Sequence, residues 1–498
     1  MSNALKRLAG QTALYGLSSI VGRAVNFLLL PILTPILLIP EYGVITYLYA
    51  YTGFFNVIYL YGMETGYFRF SKKEGVGESK AFSLSLSSLL ITTTLFTFLF
   101  VALSTPIARL TLHQDKSEYI VFLALILATD TLSALPFARL RWEGKALQFA
   151  LLKLSSIGLN IGLTILFLRA IPDSIISHDH AVYLWVESWT PKDRVAAVLL
   201  ANLLANLFPF LFFWNVIKGF VFTLQKDIRK ELIAYCIPLM WMGLAGMVNE
   251  LIDRILLEYV LPKNFYPGRS SMYAIGIYGA CYKLSMFISL AVQSFRYAAD
   301  PFFFSKATDK NAPDLFARVM TWFVISCLAL FAFVSIFLPY FGLLLRRPEY
   351  NEGLYIVPYL LMANVFLGIY YNLSMWYKLT DKTIFGTYLS ILGAIITVIG
   401  NLLLIPVIGY FGSAITTLIC YLSMALLSWY FGQKYYPIPY QLFKITGYIL
   451  FAVALVVLSG FIEGYGLVAD LALRSLILVI YPITVYLFEI RKISAKLS

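Results

Sequence analysis

The sequence predicts an all-α polytopic membrane protein of about fourteen transmembrane helices. Three observations carry that prediction. Of 498 residues 60% are hydrophobic and 13% charged, about half the charge of an ordinary soluble protein. The apolar residues gather in fourteen runs, each close to the roughly 20 residues that a helix needs to cross the hydrocarbon. The basic residues collect in alternate connections between those runs.

The runs follow in order. Residues 11–36 carry Arg23 mid-run, with Tyr15, Ser19 and Asn26 at helical spacing on the same face. Run 42–66 opens on Tyr42-Gly43 and closes in GMETGYFRF (Gly62 to Phe70). Run 82–105 is uncharged, 119–137 holds Asp130, and 147–169 holds Lys153 across a short turn near Glu143. The longest connection, 170–194, has Trp185 and Trp189 and reads as an interfacial segment. Run 195–217 follows, then 232–259 with Asn249, Glu250, Asp253 and Arg254, and 272–297 with Lys283. Runs 315–338, 353–375, 384–405, 408–432, 442–461 and 466–488 complete the set. Barrel strands would be about ten residues long and alternating, so each run is a helix that satisfies its own backbone in lipid.

With the N-terminus in the cytoplasm, 24 of the 38 Lys and Arg face inward, ten face outward and four (Arg23, Lys153, Arg254, Lys283) lie within helices. That split obeys the positive-inside rule and places both termini in the cytoplasm. The net charge of +12 is spread over short inner segments, which fits topogenesis and anionic lipid rather than nucleic acid. No cleavable signal peptide is expected. All four cysteines fall in helices and are expected to pack rather than to form disulfides or bind metal.

The seventh and eighth runs echo the first and second. Arg23, Tyr42-Gly43 and GMETGYFRF correspond to Arg254, Tyr278-Gly279 and SFRYAADPFFF (Ser294 to Phe304). This predicts two parallel six-helix lobes, 1–218 and 219–432, with helices 13–14 and a tail over 433–498.

Ionisable side chains at bilayer depth are candidate site residues by default, at roughly 2.5–3.5 kcal/mol each on insertion scales. Arg23, Asn26, Arg254 and Lys283 are expected to line a cationic cavity that suits phosphate or carboxylate. Glu250 and Arg254, four apart, are expected to pair, and Asp253 to meet Asn249. Glu250, Asp253 and Glu64 are the candidates for ion coupling. Asp130 and Lys153, at similar depth on adjacent helices, are expected to form a structural ion pair. Tyr47, Tyr49, Tyr51, Tyr59, Tyr61, Tyr370 and Tyr371 offer packing surfaces or sugar-facing hydroxyls. GVGESK (Gly75 to Lys80) lacks phosphate-loop spacing, and His113, His178 and His180 lie in outer loops, so no nucleotide, metal or cofactor is expected.

LAGQTALYGLSSIVGRAVNFLLLPILT (Leu8 to Thr34), PEYGV (Pro40 to Val44), GMETGYFRF, MVNELIDRILLEYVLP (Met247 to Pro262) and IYGACYKLSMFISLAVQSFRYAADPFFFS (Ile277 to Ser305) together resemble Wzx-type polysaccharide flippases. These belong to the multidrug/oligosaccharidyl-lipid/polysaccharide exporter superfamily, and the likeness points to lipopolysaccharide biosynthesis proteins of the Bacteroidetes type. The resemblance implies two six-helix lobes in a V around a central cationic cavity lined by helices one, two, seven and eight. It implies a non-enzymatic transporter of the bacterial inner membrane. Its passenger would be an oligosaccharide on polyprenyl diphosphate, flipped to the outer leaflet by alternating access for O-antigen, capsule or exopolysaccharide. Coupling to a proton or sodium gradient, a monomeric state, and contacts with membrane lipids and a polysaccharide polymerase complete the expectation. The alternatives are a drug/cation antiporter of the same superfamily, which would have a net acidic cavity, and a membrane glycan polymerase or ligase.

Overall fold

Every described element of the computed structural model is helical. It describes residues 22, 25, 27–112, 114–170, 191–307, 309, 311–462 and 466–490, and for 170, 297, 298, 300, 301, 305 and 490 the backbone alone. Arg23, Asn26, the three histidines and the segment with Trp185 and Trp189 therefore lie outside the described residues. Eleven helices are long and apolar enough to cross a membrane, or twelve if one bent pair is a single span. Run 42–66 adds a broken helix, and run 11–36 is described only in its last part. The chain is a multi-pass membrane protein that groups into two compact units, Met1–Gly279 and Ala280–Ser498.

The first unit contains α1 (Leu30–Ile36), α2 (Ile39–Leu60), α3 (Met63–Ser71), α4 (Gly77–Ala102), α5 (Ser104–Leu112), α6 (Ser117–Trp142), α7 (Ala146–Ile165), α8 (Arg194–Leu207), α9 (Trp214–Ile217) and α10 (Lys226–Val260). Helix α11 (Ser271–Leu284) begins in this unit and runs across its boundary. Membrane helices gain little from burying apolar side chains against one another, because lipid is equally apolar; close backbone approach and internal polar contacts hold them instead. Helix α4 follows that logic: Ser83, Ser85, Ser87 and Ser88 are buried while Leu95, Phe98 and Leu99 are exposed.

Glycines set the crossings of α2. A Cβ on Gly43 would lie 1.8 Å from the Met272 carbonyl oxygen, and one on Gly276 would lie 2.2 Å from that of Ile39. Gly279 rides on Thr46, and Gly53 on Leu251 of α10. Beyond α2 the chain breaks at Tyr61-Gly62, both in the left-handed region (φ 32° and 76°), before α3 begins at Met63. There Gly66 leaves no room for a Cβ beside the Cys236 sulfur, 2.5 Å away. Tyr61, Met63, Tyr67 and Phe70 then form a core with Phe82, Leu135, Leu232 and Cys236.

At the opposite end of the unit Asp193 caps α8, accepting from the backbone N–H groups of Val195 (2.9 Å) and Ala196 (3.1 Å). Burial pushes its carboxyl up, but the Lys116 ammonium (2.7 Å) and the Tyr119 hydroxyl (2.8 Å) outweigh burial and hold it below the usual carboxylate range.

The second unit contains α12 (Met286–Lys306), α13 (Ala312–Ile336), α14 (Leu338–Gly342), α15 (Val357–Leu373), α16 (Met375–Leu379), α17 (Ile384–Ile408), α18 (Tyr410–Tyr435), α19 (Leu442–Ser459) and α20 (Leu467–Val485). The eighth run bends by 46° between α11 and α12, which frees backbone groups that must find partners inside the protein. Ser285 at the break donates to the Tyr282 carbonyl (2.7 Å), and Asn364 of α15 donates to Ser285 (3.3 Å) while accepting from Ser289 (2.8 Å). Helices α17 and α18 are tied by Ser413 donating to Asn401 (2.8 Å).

Arg474, counted as outward-facing from the sequence, is a buried residue of α20. It pairs with Asp470 (2.8 Å) and donates to the carbonyls of Ile336 (2.6 Å) and Ile462 (2.9 Å), fastening α20 to the end of α13. All four cysteines are free and buried.

The glycine crossings yield a stability test. Gly43→Ala and Gly276→Ala place a methyl against backbone and are expected to cost about 1–3 kcal/mol each by overpacking. Gly158→Ala on α7, which meets nothing within 4 Å, is expected to be neutral or stabilising. Thermal unfolding in detergent measures all three; equal midpoints would contradict the crossing.

Candidate functional site

The polar stretch of α10 is the strongest candidate site. Asp253 and Arg254 are buried, their side chains 5% and 7% exposed, and Arg254 Nη1 donates to Asp253 Oδ1 at 2.8 Å. The same nitrogen donates to the backbone carbonyl of Glu250. From α11 the fully buried Tyr278 donates its hydroxyl to the other Asp253 oxygen, Oδ2, and its ring lies 5.7 Å from the Arg254 guanidinium carbon. Gly276 and Gly279 flank this tyrosine, so the close crossing of α2 and α11 is what brings it within reach.

This corrects the expected pairing. Arg254 meets Asp253 rather than the Glu250 carboxylate, and it uses Glu250 only through the main chain. Glu250 stands exposed. The i,i+4 spacing brings the guanidinium back over the preceding turn, where a carbonyl and the neighbouring carboxylate are both nearer than a side chain on the open face. The described acids and bases of α10's site are Glu250, Asp253 and Arg254, so the expected positive surplus rests on Arg23 and Lys283. Arg23 and Asn26 are outside the described residues. Lys283 is half-buried, five residues beyond Tyr278 on α11 and so on a different face of that helix.

Asp130 and Lys153 do not make the expected direct ion pair, although each still feels the other's charge. Asp130 accepts from Asn206 (2.9 Å), which also donates to Asn202 (3.1 Å), and Asn202 donates to the Tyr49 hydroxyl (2.8 Å). Lys153 places its ammonium 4.3 Å from the centre of the Phe137 ring, a cation–π contact. The Asn202/Asn206 pair, four apart in an apolar helix, was the unread signal. Glu64 pairs with Arg141 (2.5 Å) at the end of α3, where Arg139 also meets Glu78 and Glu143. Its carboxylate serves as a helix tie there.

Near α10's end, Tyr259 receives a hydrogen bond from Tyr47 (3.0 Å), and Tyr51 lies 3.2 Å from Tyr47. These hydroxyls join α2 to α10. GVGESK forms the turn into α4, with Gly75 and Gly77 at positive φ, and follows a helix rather than a strand. Among the described residues no group of three His, Cys, Asp or Glu could hold a metal.

No protein-family model matches the chain, and no curated protein does. Solved structures do match. Lipid II flippase MurJ in an inward closed conformation is similar over 95% of this chain and 98% of its own, at TM-score 0.69 and 13% identity. An inward-facing multidrug resistance MATE family transporter of the MOP superfamily matches over 89% and 94%, at 0.59 and 16%. A multidrug resistance MATE family transporter in an outward-facing conformation matches over 90% and 96%, at 0.56 and 15%. The chain thus has the fold that these flippases and transporters share.

Removing one partner of a buried pair strands the other. Arg254→Ala is expected to destabilise the protein by about 3–5 kcal/mol, whereas Glu250→Gln on the exposed side should stay within about 0.5 kcal/mol. Chemical denaturation of the detergent-solubilised chain compares them; an Arg254→Ala variant as stable as the parent would refute the pairing.

Proposed function

We propose that the chain is a flippase that moves polyprenyl-diphosphate-linked oligosaccharides from the cytoplasmic to the outer leaflet of the bacterial inner membrane, supplying surface polysaccharide synthesis. The observation that carries this reading is the extent of the MurJ-like fold. A match over 95% of 498 residues leaves about 25 outside it, fewer than the 18 and 19 residues of α19 and α20 together. The likeness to a lipid II flippase therefore reaches into the C-terminal helix pair.

The residue-level support comes from charge. Arg23, Arg254 and Lys283 are suited to a diphosphate, and a guanidinium presents the planar fork that phosphate oxygens accept. In this reading the lobes alternate access around the passenger while its lipid tail stays in the bilayer. Glu250, exposed beside the buried Asp253–Arg254 pair, is the candidate proton or sodium acceptor, with Asp253 second. Asn26 completes the proposed lining. The protein acts as a monomer, handing its passenger to a polysaccharide polymerase.

Deleting the gene in its host should abolish surface polysaccharide and trap lipid-linked oligosaccharide on the cytoplasmic leaflet. Complementation with Arg254→Lys or Lys283→Ala, at matched protein level, should restore only part. Intact surface polysaccharide with raised drug sensitivity on deletion would favour the antiporter alternative and refute this reading.

A further inference from the structure

A groove of about 580 Å³ opens between α12 and α13 of the second unit, and its lining is apolar except for Arg318 and Ser326. Phe295 of α12 and Phe323 of α13 form part of its wall, their rings 4.2 Å apart. Arg318, Trp322 and Ser326, each four residues from the next along α13, line it and are exposed. They stand on one stripe of a membrane-spanning helix. Arg318 has no ion pair or hydrogen-bond partner among the described residues.

We infer that this groove holds an anionic glycerophospholipid of the surrounding membrane, with its phosphodiester on Arg318 and one acyl chain along the apolar wall. Depth supports that occupant. Arg318 lies six residues from the start of α13 at Ala312, about 9 Å along the axis, where a guanidinium reaches headgroup level. Trp322 stands a turn deeper, about 15 Å from the start of α13, at the depth of an acyl chain. On α13 the lining runs from Leu315 to Leu330, and the stretch beyond Arg318 that an acyl chain would follow is about 18 Å, close to half of the roughly 30 Å hydrocarbon core. One leaflet's acyl chain has that length; a longer, methyl-branched polyprenyl tail overfills it. Asp314, exposed four residues before Arg318 on the same stripe, makes no ion pair with it among the described residues, so the guanidinium is left for a lipid phosphodiester, and a headgroup without a compensating ammonium is favoured. The site is distinct from the polar stretch of α10 and stands whether or not the chain is a flippase.

Trp322 gives a direct readout. Full-length protein is reconstituted in phosphatidylcholine vesicles with increasing brominated phosphatidylglycerol or brominated phosphatidylcholine, and the Trp322 signal is the difference from Trp322→Phe. Phosphatidylglycerol is expected to half-quench it at about fivefold lower mole fraction, the worth of one arginine at an anionic lipid surface. Arg318→Ala should abolish that preference, and Arg318→Lys should keep part of it. Equal quenching by the two lipids, or a preference that survives Arg318→Ala, would overturn the inference. So would displacement of brominated phosphatidylglycerol by trace polyprenyl phosphate, which would make the groove a site for substrate-type lipid.

Discussion

A guanidinium buried in a membrane helix must be answered within the reach of its own side chain, and much of the first unit is arranged around answering Arg254. Asp253 neutralises it and the Glu250 carbonyl accepts from it. Tyr278 holds the far oxygen of Asp253. That tyrosine is in range because Gly43, Gly276 and Gly279 let α2 and α11 touch backbone to backbone. Remote packing and local electrostatics are thus one problem: a methyl group at a crossing would move the phenol that completes the charge pair.

The helical architecture was legible because lipid forces it. A backbone without water has to bond to itself, so long apolar runs are helices, and the structure bears out an all-α polytopic fold. The breaks were harder to see. Tyr61-Gly62 falls inside the run read as 42–66, and only the glycine hints at the left-handed turn. The bend at Ser285 has neither glycine nor proline beside it, and the side chain that meets it there, Asn364, lies 79 positions along the chain. Arg474 was counted outward because it stands near the outer start of run 466–488, and the carbonyls of Ile336 and Ile462 that let it be buried there belong to other parts of the chain.

The site was legible in outline. Four polar residues within six on α10 mark themselves by their cost in a membrane, and the structure gathers two of them into a buried pair. Their partners were not legible. Spacing rules rank side chains on an isolated helix, whereas Arg254 found a main-chain carbonyl and Asp253 found a residue of another helix. The same limit separated Asp130 from Lys153: sequence position gives depth, but which way a side chain turns depends on neighbours such as Asn206 and Phe137. The tyrosines Tyr47, Tyr49 and Tyr51 tie helices together through their hydroxyls, the plainer of the two roles their sequence allowed.

Reconstituting the purified chain in vesicles that carry a fluorescent polyprenyl-diphosphate oligosaccharide, and adding a membrane-impermeant quencher, tests translocation most directly. The account predicts that the quenched fraction rises from the outer-leaflet half seen in protein-free vesicles toward the whole population. A fraction that stays at half, with and without an imposed proton or sodium gradient, would contradict it.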